Sequence, residues 1–172
     1  MSTQALLEEI ALILPPVPKP ARAEIAFHKS GCDQCDYLRN DLDQYQGTVL
    51  PDGALRYLHN EWSCLSPAAT RWVLPSYLAL CLTQDLYDPL ETEFLIYTLA
   101  PEPKHELETT QRLSKLSHEQ VGVLRKFVAW CKEHPHWSTY CPDEVARATI
   151  FIDRLWMSGS QPNKSLERTR EG

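Results

Sequence analysis

Glycine is scarce in this sequence: only six of its 172 residues are glycine, so there is little material for glycine-rich loops that cradle phosphate groups. The sequence also has no apolar run of roughly 18 residues, the length that suggests a membrane-spanning helix. Its first residues lack the positively charged start of a signal peptide. These absences predict a cytoplasmic protein with no membrane partner.

Positive charge is scarce as well, since 17 lysines and arginines face 23 aspartates and glutamates and give a formal net charge of −6. The general electrostatic footprint of a nucleic-acid-binding domain is therefore missing. Around the two closely spaced cysteines described below, the aspartates Asp33, Asp36 and Asp41 oppose the approach of phosphate to Lys29 and Arg39. We expect no nucleic-acid partner. An acidic protein could instead bind a basic one.

Several catalytic motifs are absent, namely a serine nucleophile elbow, a zincin His-Glu-x-x-His and a deaminase Cys/His pattern. His134 and His136 with Cys141 could form a second metal site or a Cys–His nucleophile pair. The interpretation that we favour is a loop that Trp137 anchors to the core, with both histidines solvated. We therefore assign no catalytic residue.

The segment His28-Lys-Ser-Gly-Cys32-Asp-Gln-Cys35 has the pattern of a metal knuckle. Zinc takes four nitrogen or sulfur ligands in a tetrahedron, and a Cys-x-x-Cys turn brings two sulfurs to the same point. Gly31 gives the backbone the freedom to wrap around an ion. The segment therefore predicts three of the four ligands, His28, Cys32 and Cys35.

The fourth ligand must come from elsewhere in the chain. His59 is the better candidate, because zinc sites usually gather a second group of ligands after a spacer, and Cys64 is the reserve choice. We predict one structural zinc ion bound by His28, Cys32, Cys35 and His59.

Two alternatives to the metal stay open. Cysteines are often small buried hydrophobes, so Cys32 and Cys35 could simply face a core. They could also form a redox dithiol, although such motifs follow a strand in a βαβ unit and residues 23–27 are the only strand candidate upstream. The four other cysteines are expected to be free thiols in a reducing cytoplasm.

Apolar residues recur at helical spacing along most of the chain and predict an all-α fold, a single compact domain of about six to seven helices with the Cys/His knuckle near its N-terminus. Pro75 is expected to kink or split the fourth helix, and residues 101–115 to form a surface loop. The expected helices lie near residues 3–14, 35–45, 54–59, 67–82, 90–99, 117–131 and 142–157.

Prolines and polar residues divide the chain into three parts. Residues 1–20 would form an N-terminal helix and a proline-rich connector, and residues 21–157 the helical domain. Residues 158–172 contain one apolar side chain, too little to order the segment, which is expected to be a disordered tail.

Three further stretches carry a family resemblance. They are Cys32-Asp-Gln-Cys35-Asp-Tyr-Leu-Arg39, Leu55-Arg-Tyr-Leu-His59 and Leu65-Ser-Pro-Ala-Ala-Thr-Arg-Trp-Val-Leu-Pro-Ser-Tyr-Leu78. With them the chain resembles, over about residues 21–130, a bacterial family of small, stand-alone helical proteins of unknown function. The resemblance implies a shared fold and adds no mechanism.

These observations favour a small cytoplasmic bacterial protein that acts by protein–protein interaction, as a toxin-neutralising immunity protein or an adaptor. The alternative is a metal-dependent enzyme that uses the Cys/His site with an open coordination position. The sequence specifies neither the identity of a partner nor the oligomeric state.

Overall fold

Helices account for most of the chain, and capping residues and prolines mark many of their ends. The computed structural model describes residues 1–58, 61–84 and 90–159. The prediction of an all-α fold is confirmed, because within these ranges the only β-pairing is one isolated bridge. The helices are α1 (Thr3–Ile13), α2 (Asp33–Asp43), α3 (Asp52–Tyr57), α4 (Pro67–Thr83), α5 (Leu90–Leu99), α6 (Glu106–Arg112), α7 (His118–Glu133), α8 (Trp137–Tyr140) and α9 (Pro142–Gly159).

The sequence predicted six to seven helices, and the described ranges contain nine. The two unexpected helices are α6 and α8. The prediction of a loop across residues 101–115 is wrong, because α6 follows the 3-10 helix Pro103–His105 in that stretch. Its acidic first turn and basic last turn suit the helix dipole. The helix α8 is a single turn that buries Trp137. Both helices bury too few apolar residues to produce a helical pattern in the sequence.

The core is one continuous cluster centred on α4, so the chain forms a single compact domain across the described ranges. Trp72 and Tyr77 of α4 are fully buried, and α1, α3, α5 and α6 all pack against this helix. A second layer is formed by α7 and α9, where Phe127 and Ile152 join the same cluster. A helix that is apolar on nearly all sides must lie inside the protein.

Pro75 lies inside α4 without splitting it, since the helix runs unbroken from Pro67 to Thr83. Proline has no N–H to donate to the carbonyl four residues earlier, which is that of Arg71. Contacts with neighbouring helices on several sides favour the helical conformation despite this missing bond. Of the two expected effects of Pro75, the division of the helix is therefore wrong, and the kink stays a prediction.

The last helix ends two residues later than the sequence predicted, because α9 extends to Gly159. The remaining part of the expected tail, residues 160–172, lies outside the described residues, as do residues 59–60 and 85–89. No helix within the described ranges combines the length and apolar character that crossing a membrane requires.

A short antiparallel contact joins two distant parts of the chain beside the predicted knuckle. Ala26 forms an isolated β-bridge with Leu65. The Phe27 N–H donates to the Cys64 carbonyl at 2.7 Å, and the Ser66 N–H donates to the Ile25 carbonyl at 3.0 Å. The bridge therefore fixes the segment leading to His28 against the 3-10 helix Trp62–Cys64, just before α4.

Ser66 should contribute more to stability than an ordinary helix cap. Its Oγ accepts from the Ala69 N–H at 3.0 Å and also donates to the Glu24 carbonyl, whereas the exposed Ser117 caps α7 without such a second contact among the described residues. We expect Ser66→Ala to lower the free energy of unfolding by about 2 kcal/mol and Ser117→Ala by about 1 kcal/mol. Urea denaturation of both variants measures the difference, and equal losses would contradict it.

Candidate metal centre

Three predicted ligands meet at the start of α2. The ligand atoms of His28, Cys32 and Cys35 all lie within 4.8 Å of one another, and the Cys35 Sγ is 3.5 Å from the His28 Nδ1. Across the described part of the chain this is the sole group of three or more His, Cys, Asp or Glu side chains close enough to hold a metal ion. The group could hold a metal ion, as the sequence predicted for these three residues.

Backbone geometry explains why this segment can converge. Gly31 has a φ of +75°, in the left-handed region that a residue with a Cβ rarely adopts, and the chain turns there. Cys32 then occupies the extended N-cap position of α2, and Cys35 lies in the first turn with no exposed surface. One thiol therefore precedes the helix, and the other points from its first turn into the same space.

The start of α2 also favours a thiolate at Cys32. The pKa of the Cys32 thiol is lowered, chiefly by the backbone N–H of Cys35, with the Cys35 thiol and the Gln34 N–H adding to the effect. Amide groups at a helix start stabilise negative charge. Cys32 is also partly exposed, so a metal ion can reach it from solvent.

Arg39 supports the loop that carries His28. Its buried guanidinium donates to the carbonyls of His28 and Lys29 and pairs with Asp36 at 2.6 Å. Sequence analysis did not predict this role, because a charged side chain among Asp33, Asp36 and Asp41 is ordinarily exposed to solvent. The spacing of three between Asp36 and Arg39 could have indicated the ion pair, but nothing local indicates the carbonyl contacts.

A second buried arginine supports the bridge from the other side. Arg112, on the unexpected helix α6, lies with its guanidinium carbon 5.6 Å from the centroid of the Phe27 ring. Its Nε donates to the Ser63 carbonyl at 2.9 Å. Arg112 therefore contacts both chain segments of the bridge, one residue before His28 and one residue before Cys64.

Of the two candidates for the fourth ligand, the structure describes Cys64 and not His59. His59 lies outside the described residues. Cys64 is buried, and its Sγ lies outside the group of ligand atoms within 4.8 Å of one another, although the Cys35 and Cys32 thiols are near enough to affect its pKa. Burial raises the pKa of the Cys64 thiol to about 12, and the neighbouring Cys35 thiol adds to the rise.

The second cluster considered in the sequence does not assemble into a comparable group within the described ranges. The His134 ring lies 4.8 Å from that of Trp130, and the His136 ring stacks on Tyr140. The Cys141 thiol donates to the Trp137 carbonyl at 3.8 Å. Trp137 is buried, as the interpretation of an anchored loop required, whereas both histidines are partly buried and not solvated as expected.

The thiols permit both alternatives to a metal, since all six cysteines are free. An inert-core interpretation fits Cys35, which is fully buried, better than Cys32, which is partly exposed. The strand of a redox βαβ unit is missing from the described residues upstream, where the 3-10 helix Arg22–Glu24 and the single bridge at Ala26 are found. Of the three interpretations, the metal site alone also gives His28 a role, as a ligand.

A cleft lies between the C-terminal end of α2 and the helix α3, whereas the metal centre lies at the N-terminal end of α2. It has a volume of about 230 Å³, and Asp41, Tyr45, Tyr57 and Glu61 contribute to its walls. Burial raises the pKa of the Glu61 carboxyl, and the charge of Asp41 raises it further. Its Oε2 is buried and accepts no hydrogen bond from the described residues. Tyr57 is 72% exposed at the rim. The cleft thus combines acidic and aromatic groups.

Comparison with family models, curated proteins and solved structures gives no significant match. Fold and site therefore define the protein as an all-α domain with a His/Cys/Cys group that could hold a metal ion. Membership of the bacterial family that the sequence resembles stays a prediction.

Proposed function

We propose that this protein is a non-enzymatic, zinc-stabilised binding protein that acts on a partner protein in the bacterial cytoplasm, as an immunity protein or an adaptor. The observation that carries the proposal is the convergence of His28, Cys32 and Cys35 at the start of α2. A metal ion there would join the loop that follows the bridge to the helix that forms one wall of the acidic cleft.

The chemistry of the ligands supports zinc. Thiolate and imidazole ligands in a tetrahedral arrangement suit Zn²⁺, whereas calcium and magnesium prefer oxygen ligands. A fourth protein ligand would close the site, and a closed site is typical of structural zinc. An enzyme would instead keep a water in the fourth position and place a general base beside it. No carboxylate of the described residues belongs to the ligand group.

Zinc content gives the first test. Reduced protein purified without chelators should contain about one zinc per chain, as a site with four protein ligands requires. Elemental analysis measures the stoichiometry. The double variant His28→Ala/Cys32→Ser should lose the metal, whereas the control His134→Ala/His136→Ala should keep it. Wild-type protein free of metal would contradict the zinc-stabilised function.

Charge and exposed aromatic surface support a basic partner segment. Asp41 and Glu61 place two carboxyl groups in the cleft, and Tyr45 and Tyr57 line it with aromatic rings, to which a lysine or arginine is attracted. Opposite charge on a partner would speed association and relieve the repulsion between the two carboxylates. The net charge of −6 acts in the same direction over a longer range.

Peptide binding tests this part of the proposal. A fluorescein-labelled arginine-rich peptide should bind the wild-type protein, and Asp41→Asn/Glu61→Gln should weaken its affinity by about fivefold or more, as expected for loss of complementary charges. Fluorescence anisotropy at fixed ionic strength measures the affinity. The matched control Asp143→Asn/Glu144→Gln removes the same net charge from α9 and should have a smaller effect. Equal weakening by both variants would contradict a role for the cleft.

A further inference from the structure

We propose that Cys64 is the fourth ligand, so that the protein binds zinc through three thiolates and one imidazole. This assignment rests on the proposed zinc-stabilised function and specifies its coordination sphere. It replaces His59, the ligand that the sequence favoured, with a residue 29 positions after Cys35.

The backbone brings Cys64 to the site. The Cys64 carbonyl accepts the Phe27 N–H at 2.7 Å, one residue before His28, and the bridge between Ala26 and Leu65 fixes the register on either side. The 3-10 helix that ends at Cys64 also packs against α2, the helix that carries Cys35. Two independent contacts therefore hold Cys64 beside elements that carry the other ligands.

The side chain of Cys64 completes the arrangement. It is 4% exposed, and the thiols of Cys35 and Cys32 are near enough to raise the pKa of its own thiol. Within the described residues the hydrogen-bond contact of the Cys64 Sγ is a weak one to the Gln34 Oε1 at 3.9 Å. The Cys64 Sγ lies outside the group of ligand atoms within 4.8 Å of one another, and a bound ion would draw it to the other three donors to complete the tetrahedron that zinc needs.

Charge supports three thiolates over two. A Zn²⁺ ion with three thiolates and a neutral imidazole carries a net charge of −1, whereas two thiolates and two imidazoles carry none. Buried charge needs a partner of opposite sign nearby. Arg39 donates to the His28 carbonyl, and Arg112 donates to the Ser63 carbonyl next to Cys64. Both buried guanidinium groups lie against segments that carry ligands, and each also pairs with a carboxylate, Arg39 with Asp36 and Arg112 with Glu108.

X-ray absorption of the zinc-loaded wild-type protein tests the assignment without any substitution. We expect about three sulfur ligands near 2.3 Å and about one nitrogen ligand near 2.0–2.1 Å. Two sulfurs with two nitrogen or oxygen ligands would overturn the assignment of Cys64 and leave the zinc-stabilised function standing. Protein that takes up no zinc would overturn both.

Cobalt substitution of variants identifies the ligand by residue. The thiolate-to-cobalt charge-transfer band should fall by about one third in Cys64→Ser, because one of three thiolates is lost. His59→Ala should leave both the band and the metal stoichiometry unchanged, as should the control Cys141→Ser, which changes another buried thiol. Loss of cobalt in His59→Ala with an unchanged band in Cys64→Ser would overturn the assignment. If Cys64→Ser does not fold, the absorption measurement on wild-type protein decides the question.

Discussion

Cys35→Ser is expected to lose the bound zinc and to lower the free energy of unfolding by about 3 kcal/mol or more. Structural zinc binding contributes directly to folding, because the unfolded chain has no preformed site. A ligand present at about 1,000 times its dissociation constant stabilises the folded state by about 4 kcal/mol. Cys35 is fully buried in the first turn of α2, 3.5 Å from the His28 ring, so its loss removes a central ligand. Thermal melting and elemental analysis of the variant measure the two effects.

A matched variant separates metal loss from the general cost of a buried hydroxyl. Cys131 is as fully buried as Cys35 and lies on α7, outside the ligand group. Cys131→Ser should be destabilised yet keep about one zinc per chain, and a chelator should still lower its melting temperature. The melting temperature of Cys35→Ser should not respond to the chelator. A chelator response in Cys35→Ser equal to that of wild type would show that Cys35 does not hold the metal.

Trp72→Ala is expected to lower the free energy of unfolding by about 3–5 kcal/mol, the usual cost of removing a large buried aromatic side chain. Trp72 is fully buried in α4, and its Nε1–H donates to the Gly47 carbonyl at 3.0 Å. The Lys19 ammonium lies 5.9 Å from its ring centroid. The indole therefore joins the central helix to the segment after α2 and to the proline-rich connector. Urea denaturation measures the loss.

Two further variants define what the indole contributes. Trp72→Phe keeps most of the apolar volume and loses the bond to Gly47, so it should cost less than the alanine variant, with about 1 kcal/mol coming from that hydrogen bond. Leu12→Ala removes a side chain that is 76% exposed and should change the free energy of unfolding by less than about 0.5 kcal/mol. A similar cost for Leu12→Ala and Trp72→Ala would contradict the central position of α4.

Local chemistry determined most of the fold. Helix ends depend on contacts within a few residues, so the sequence revealed them. Prolines follow the end of α1 at Leu14, Ser66 with Pro67 begins α4, and the capping box at Ser117 begins α7. The helix α6 was missed because only Thr109 and Arg112 of its side chains are buried, and polar residues hid its helical period. Tertiary contacts of Arg112, which no local pattern encodes, account for its packing.

The candidate site likewise has one part that local sequence determined and another that tertiary contacts determined. Cys32, Cys35 and His28 lie within eight residues, and the glycine turn with the start of α2 brings them together, so their spacing alone predicted the group. The surroundings of that group were decided by the bridge between Ala26 and Leu65, 39 residues apart in sequence. Spacing cannot encode such a contact, because backbone hydrogen bonds between distant segments depend on how the whole chain packs. The sequence by itself thus determined the knuckle, and the tertiary structure decided that Arg39 contacts the His28 carbonyl and that Cys64 and Arg112 lie against the segment before it.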